Sequence, residues 1–132
     1  MDKLPKPSKT EVFLNYKIWL SSLTGHGQIS GDTFTILELT AEKGNLSAAA
    51  ELLHMSYRNA WGKVRDAEEV VGYPLLTKQR GGKDGGNSTL TPAAYKLLEA
   101  YKALQQKFDE SVEQAFHEFL QKISSKKHDT EM

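Results

Sequence analysis

The chain has 132 residues, of which 39% are hydrophobic and 26% are charged, a size that allows one domain with a buried core but not two. Its formal net charge is zero, so any affinity for nucleic acid must come from a local concentration of positive charge. The absence of cysteine excludes disulfides, thiolate nucleophiles and cysteine-based zinc sites, and no apolar run is long enough to cross a bilayer.

The N-terminal part predicts a flexible arm followed by a strand. Residues 1–10 contain two prolines and several lysines, a composition typical of an arm without fixed structure. Apolar residues then occupy alternate positions from Val12 to Leu20, and this period of two predicts a strand with one buried face. Because Phe13 and Trp19 lie on the opposite face, we expect the strand to be covered on both sides.

A turn, a short return segment and a helix are predicted next. Residues 24–28 contain two glycines and predict a turn, after which a second segment returns through Ile29. Asp32 is expected to cap a helix over residues 33–43, which ends at Gly44.

Two further helices joined by a tight turn are predicted over residues 47–53 and 56–71. Ser56 is a good N-cap for the second of them, and Gly72 ends it. Small or apolar side chains occupy the positions that face inward when one helix crosses another through such a turn: Ala49, Leu53, Met55, Ala60 and Val64. The pattern predicts a helix-turn-helix.

A β-hairpin with a glycine-rich tip follows the helix-turn-helix. Residues 75–80 predict the outgoing strand, residues 81–86 the tip and residues 88–90 the returning strand. The predicted fold is therefore mainly α with a small β-hairpin wing, a winged helix-turn-helix whose usual partner is double-stranded DNA.

The last predicted helix spans residues 92–123, because Thr91 supplies a capping hydroxyl and Pro92 suits the first helical position. Its apolar stripe consists of Leu97, Tyr101, Leu104, Phe108, Val112, Ala115, Phe119 and Ile123. A helix of about 45 Å is too long to lie wholly on so small a domain. We therefore expect it to pair with a partner, and a second copy of the chain is the simplest one.

The second helix of the helix-turn-helix carries the candidate DNA-reading residues. The outward and N-terminal positions that reach base edges in a major groove are held by Tyr57, Arg58, Trp61, Gly62 and Arg65. Gly62 removes a side chain where the helix would approach DNA most closely, and the helix N-terminus at Ser56 can hold a phosphate. The alternative is that Tyr57 and Trp61 form a packing pair and that the two arginines are merely solvated.

The wing supplies a second set of candidate DNA contacts. Lys78, Arg80 and Lys83 surround the glycine-rich tip, which can lie along a sugar–phosphate backbone. The alternative is an ordinary surface loop. A nucleotide phosphate-binding loop is excluded, because the segment lacks the spacing and the hydroxyl residue after lysine that such a loop requires.

No constellation of residues suggests catalysis or a cofactor. His26, His54, His117 and His128 are scattered and form no metal-ligand spacing, and no Ser/His/Asp arrangement is indicated. The sequence therefore predicts no enzyme, no cofactor and no metal site. We expect a cytoplasmic protein without membrane contact.

Two segments of the sequence resemble a known family. Residues 48–56, followed by Leu75-Leu76 and Arg80, resemble the DNA-binding domain of LysR-type regulators. Residues 56–61, together with the glycine-rich segment 81–86 and Leu90-Thr91, more closely resemble ModE-type molybdate-responsive regulators, without their molybdate-binding domain. The resemblance implies a homodimer paired through the first and last helices and reading a palindromic operator. It leaves open whether a separate protein senses the signal to which the regulator responds.

The sequence thus predicts a sequence-specific, dimeric DNA-binding transcriptional regulator. Its domains are a flexible arm over residues 1–10, a winged helix-turn-helix over residues 11–91, a dimerisation helix over residues 92–123 and a flexible tail over residues 124–132. The alternative is a protein-interaction module that keeps the winged-helix fold without specific DNA binding, which the zero net charge allows.

Overall fold

The computed structural model describes residues 12–77 and 88–124. Four helices occur in these residues: α1 (Gly31–Lys43), α2 (Leu46–Leu52), α3 (Tyr57–Val71) and α4 (Pro92–Ser124). The strands form two antiparallel pairs, β1 (Leu20–Ser21) with β2 (Gln28–Ile29) and β3 (Leu76–Thr77) with β4 (Thr89–Leu90). The predicted fold class, mainly helical with a small hairpin and a long last helix, is confirmed.

The chain divides into two compact units. Residues 18–107 form one, and the described residues 12–17 and 108–124 belong to the other. The core of the first unit lies among the first three helices, the β3–β4 hairpin and the beginning of α4. Its fully buried larger side chains are Ile29, Ile36, Leu37, Leu46, Val64 and Leu75.

The helix α1 starts earlier than the sequence predicts. Ser30, in extended conformation, is the N-cap residue, and the helix begins at Gly31. Asp32 therefore lies within the first turn, where its charge favours the positive end of the helix dipole, and the prediction that it caps the helix is wrong. The predicted end is confirmed, since Gly44 adopts a left-handed conformation with φ 96°.

The predicted strand over residues 12–20 is wrong except at its last residue. Strand β1 starts at Leu20, which pairs with Ile29, and the described residues before it form no regular element. Leu14 and Tyr16 on the expected buried face are exposed, as are Phe13 and Trp19 on the other. Alternation alone does not form a strand, because a strand also needs a neighbour with which to share backbone hydrogen bonds. The predicted return through Ile29 is confirmed.

A tight turn joins α2 to α3, as predicted. The Asn45 side chain caps α2 by accepting a hydrogen bond from the Ala48 N–H at 2.8 Å. His54 then adopts a positive φ of 57°, and the Met55 N–H donates to the Ala50 carbonyl at 3.0 Å. The Ser56 hydroxyl caps α3 by accepting from the Asn59 N–H at 3.0 Å. These local bonds fix the helix-turn-helix.

Thr91 joins the hairpin to α4. The register of the hairpin pairs Leu76 with Leu90 and Thr77 with Thr89. The Thr91 hydroxyl accepts from the Ala94 N–H at 3.1 Å and donates to the Pro74 carbonyl at 2.9 Å. The predicted helix start is thereby confirmed, and the same side chain ties the helix to the segment that precedes the hairpin.

The beginning of α4 packs in the core mainly through residues that are not part of the predicted apolar stripe. Ala94 and Leu98 are the buried residues of the helix, and none of the eight predicted stripe residues is fully buried. Leu97 and Tyr101 are partly buried against the core, and the Tyr101 ring stacks on Phe34 with ring centroids 3.5 Å apart. Within the described part of the chain, no helix combines the length and the apolar character needed to cross a membrane.

The backbone at His54 allows a direct test of the turn. Substitution His54→Val should lower the free energy of unfolding by about 1–2 kcal/mol, because a β-branched residue is strained at positive φ. His54→Gly should stay within about 1 kcal/mol of the wild type, because glycine adopts this conformation freely. Since His54 is exposed, burial does not contribute to the difference. Chemical denaturation of both variants is the measurement, and equal stability would contradict a left-handed turn.

Candidate nucleic-acid interface

The orientation of α3 follows from its buried face. Ala60, Val64 and Ala67 are fully buried against the core. At 100° per residue, Gly62 and, two turns later, Glu69 lie nearest the middle of the opposite face, with Arg58 and Arg65 beside them. The structure thus brings together, on one side of the helix, three of the residues that the sequence singles out for DNA.

The first turn of α3 has the features of a phosphate- or base-contacting helix end. Ser56 and Arg58 are both exposed. A Cβ added at Gly62 meets no heavy atom of the described residues within 4 Å, so packing within the chain does not require glycine there. Glycine costs about 1 kcal/mol relative to alanine inside a helix. Neither packing among the described residues nor helix propensity therefore accounts for glycine at this position.

Tyr57 and Trp61 do not have the outward positions that the sequence predicts. Both are partly buried and pack against the core. The Tyr57 hydroxyl lies 3.4 Å from the Ser88 hydroxyl, at the start of the returning wing strand. DNA contact by the remaining exposed part of either side chain stays a prediction.

Arg65 is engaged by two neighbours. Its guanidinium carbon lies 4.8 Å from the centroid of the Trp61 ring, and its Nε lies 3.7 Å from a carboxylate oxygen of Glu68. The Arg65 side chain nevertheless remains 52% exposed. It can therefore meet an anion from outside while the ring and the carboxylate restrict its orientation.

Charge is segregated along α3. The cations of the helix all precede its carboxylates: first come Arg58, Lys63 and Arg65, and then Asp66, Glu68 and Glu69. The first turn has no acidic residue and the last turn no basic residue. This order opposes the helix dipole, which favours carboxylates at the N-terminus and cations at the C-terminus. Of the three cations, Arg58 lies in the first turn of α3, which also offers free backbone N–H groups.

The wing cations lie outside the described residues. Lys78, Arg80 and Lys83 fall in the segment 78–87, between the two strands of the described hairpin. Their contact with a DNA backbone therefore stays a prediction.

Within residues 12–77 and 88–124, no group of three or more histidine, aspartate or glutamate side chains is arranged to hold a metal ion.

Curated proteins are similar to part of this chain. Molybdenum-pterin-binding protein MopB of Rhodobacter capsulatus is 35% identical over 78 residues, which are 59% of this chain and 29% of that protein. The molybdenum transport protein ModE of Herbaspirillum seropedicae is 36% identical over 74 residues, 56% of this chain and 28% of that protein. The transcriptional regulator ModE of Haemophilus influenzae is 33% identical over 82 residues, 62% of this chain and 31% of that protein. The chain thus spans less than a third of the length of these relatives.

A solved structure and a family model are also similar to this chain. The structure described as "Crystal structure of CbnR_DBD-DNA complex" matches with a TM-score of 0.51 and 25% identity, over 64% of this chain and 91% of that chain. The family described as "Bacterial regulatory helix-turn-helix protein, lysR family" matches residues 32–95. Those residues contain α1 apart from its first residue, α2, α3, both strands of the β3–β4 hairpin and the start of α4. Residues 32–95 are therefore a bacterial regulatory helix-turn-helix of the lysR family, in a winged-helix fold.

Proposed function

We propose that this protein is a sequence-specific DNA-binding transcriptional regulator that acts as a homodimer on a palindromic operator in the cytoplasm. The observation that carries the proposal is the outward face of α3, where Arg58, Gly62 and Arg65 lie together opposite the buried residues. In a helix-turn-helix this face enters the major groove. The similarity to the DNA-binding domain of a solved protein–DNA complex supports the same partner.

The features of this face reduce helix stability, and DNA binding accounts for each of them. A cation near the N-terminus of a helix lies at the positive end of the helix dipole, which destabilises the helix by about 0.3–1 kcal/mol. Phosphates at the same end reverse that sign, because they are attracted both by the side chains and by the free N–H groups. Glycine at position 62 allows a sugar–phosphate backbone or base edge to come close to the helix.

The homodimer is supported by the exposure of apolar side chains on α4. Phe108, Phe119 and Ile123 are 47%, 48% and 37% exposed, and each belongs to the stripe that the sequence assigns to a partner. A second copy of the chain would bury these side chains against its own α4, with α1 as the second element of the interface in this proposal. Two-fold symmetry then places two α3 helices in successive major grooves about 34 Å apart.

Selection of bound fragments from genomic DNA by the purified protein, at two salt concentrations, tests the proposal. We expect enrichment of a two-fold symmetric site, and binding weaker by roughly three orders of magnitude when salt rises from 50 to 200 mM. Light scattering should give the mass of a dimer. Enrichment without a shared motif, or weak binding that does not respond to salt, would instead favour a protein-interaction module.

Arg58→Ala should relax base preference in the operator and weaken binding by about 1–3 kcal/mol, because the exposed guanidinium can bind a guanine through two hydrogen bonds. Lys96→Ala, which removes an exposed cation from α4, is the matched control and should leave base preference unchanged. Lys83→Ala, in the predicted wing tip, should weaken binding to all sequences alike. Titrations with operator and scrambled DNA check the three variants, and unchanged base preference for Arg58→Ala would contradict its assigned contact.

Gly62→Ala should affect stability and DNA affinity in opposite directions. The added Cβ meets open space and raises helix propensity, so the free energy of unfolding should rise by about 0.5–1 kcal/mol. The same methyl group should weaken operator binding at least about tenfold if DNA approaches the helix here. Gly31→Ala, also in open space but at the start of α1, is the control for an added methyl group away from α3. Because α1 belongs to the proposed dimer interface, its affinity is compared only after light scattering has shown the mass of a dimer. Undiminished affinity in Gly62→Ala would remove this position from the interface.

A further inference from the structure

Glu68 connects α3 to the start of the wing. One of its carboxylate oxygens, Oε2, accepts hydrogen bonds from the N–H groups of Leu75 and Leu76, at 2.8 and 3.3 Å. Leu75 is fully buried and Leu76 is the first residue of β3. Hydrogen bonds from two N–H groups to one carboxylate are charge-assisted, and they are stronger than bonds between neutral groups.

The other carboxylate oxygen faces the recognition helix itself. Oε1 of Glu68 lies 3.7 Å from Nε of Arg65, whose guanidinium lies over the Trp61 ring. The Glu68 side chain is only 21% exposed, so these contacts form in a partly desolvated setting. A continuous series of contacts therefore links the outward face of α3 to the first residues of the wing.

The returning strand of the hairpin has a separate attachment. The Ser88 carbonyl accepts a hydrogen bond from the Leu46 N–H at 2.9 Å, at the start of α2. The Ser88 hydroxyl also lies 3.4 Å from the Tyr57 hydroxyl. Thr91 holds the segment before the outgoing strand through the Pro74 carbonyl. The Thr91 N–H also donates to the Leu75 carbonyl at 3.0 Å. Loss of Glu68 would therefore loosen the outgoing strand at the Leu75 and Leu76 N–H groups without detaching the hairpin.

We propose that Glu68 is a positioning residue for DNA binding: it does not contact DNA, but fixes the wing and Arg65 relative to α3. The inference rests on the proposed function, because it concerns the geometry with which that function is performed. By holding the base of the outgoing strand, Glu68 determines whether wing and recognition helix reach the same DNA segment together. Because the wing and the helix are already oriented before DNA binds, less conformational entropy is lost on binding, and affinity rises without an additional contact.

The direction of the change in DNA affinity distinguishes a positioning role of Glu68 from an electrostatic effect of its charge. Removal of a carboxylate near DNA should strengthen binding, because the repulsion between the carboxylate and the phosphates disappears. Removal of an anchor should weaken binding, because the wing then has to be ordered when DNA binds. Glu69 is the next residue of α3, carries the same charge and is exposed. Glu69 points about 100° further round the helix, toward the outward face, so Glu69→Ala reports the electrostatic effect of removing a carboxylate without removing the anchor.

The experiment measures operator affinity of the full chain between 50 and 200 mM salt for the wild type, Glu68→Ala, Glu68→Gln and Glu69→Ala. We expect Glu68→Ala to bind the operator about tenfold more weakly, with unchanged base preference. The slope of log affinity against log salt concentration should fall by about the value of one phosphate contact. Glu68→Gln keeps an oxygen acceptor for the Leu75 N–H and should remain within about threefold of the wild type. Glu69→Ala should bind at least as tightly as the wild type.

Hydrogen exchange of the free protein measures the anchor without DNA. The N–H groups of Leu75 and Leu76 should exchange faster in Glu68→Ala than in the wild type, whereas the N–H of Leu46 at the other attachment should keep its protection. A variant that is only less stable would lose protection in all three and would keep the wild-type salt dependence, because its folded fraction binds normally.

The failures of the two proposals can be told apart. If Glu68→Ala binds the operator as tightly as the wild type, or more tightly like Glu69→Ala, the positioning role is overturned while DNA recognition stands. Unchanged salt dependence in Glu68→Ala also overturns it. If the wild type selects no DNA sequence, the proposed function itself fails, and the exchange data alone still show whether Glu68 holds the hairpin.

Discussion

Burial of Ala60 and Val64 on α3 is the constraint on which the geometry of the interface depends. Because these small side chains have no exposed surface, α3 can approach the other helices closely and cannot rotate about its own axis without exposing them. The rotation of the helix decides that Arg58 and Gly62 face outward. The turn before α3 has its own local support, through the Ser56 cap and the left-handed backbone of His54. Packing and turn together fix both the position and the rotation of the recognition helix.

Locally unfavourable features concentrate in this small part of the chain. His54 has a positive φ without being glycine, Gly62 lies inside a helix, and the charges of α3 run against the helix dipole. Local preferences agree with the fold elsewhere, for example at the glycine end of α1 and the threonine start of α4. Departures of this kind are expected where function rather than folding selects the residue. Their concentration between residues 54 and 69 agrees with the proposed DNA contact.

The wing is an extension of the helix-turn-helix rather than a separate element. Its strands are short, so the β3–β4 hairpin alone contributes few backbone hydrogen bonds. Side chains and backbone groups of α2, α3 and the start of α4 supply the rest, through Glu68, Leu46 and Thr91. A residue such as Tyr57 consequently serves packing at the base of the wing, although its place in the sequence resembles that of a base-reading residue.

The sequence by itself determined the features that depend on neighbouring residues, and tertiary structure decided those that depend on distant ones. The Ser56 cap, the glycine ends of α1 and α3 and the Thr91 start of α4 could be predicted, because each involves bonds within a few residues. The strand at residues 12–20 could not, since its alternation says nothing about whether a neighbouring strand exists.

The candidate site divides in the same way. Periodicity correctly placed Arg58 on the outward face, because the inward stripe of a helix defines its opposite side. Tyr57 and Trp61 lie at the margin of that stripe, where the hairpin and the core determine how much of each ring is covered. Glu68 has no signal in the sequence, since it is one of several acidic residues on α3. Only the folded chain brings the N–H groups of Leu75 and Leu76 to its carboxylate, which makes it distinct from the exposed Glu69 beside it.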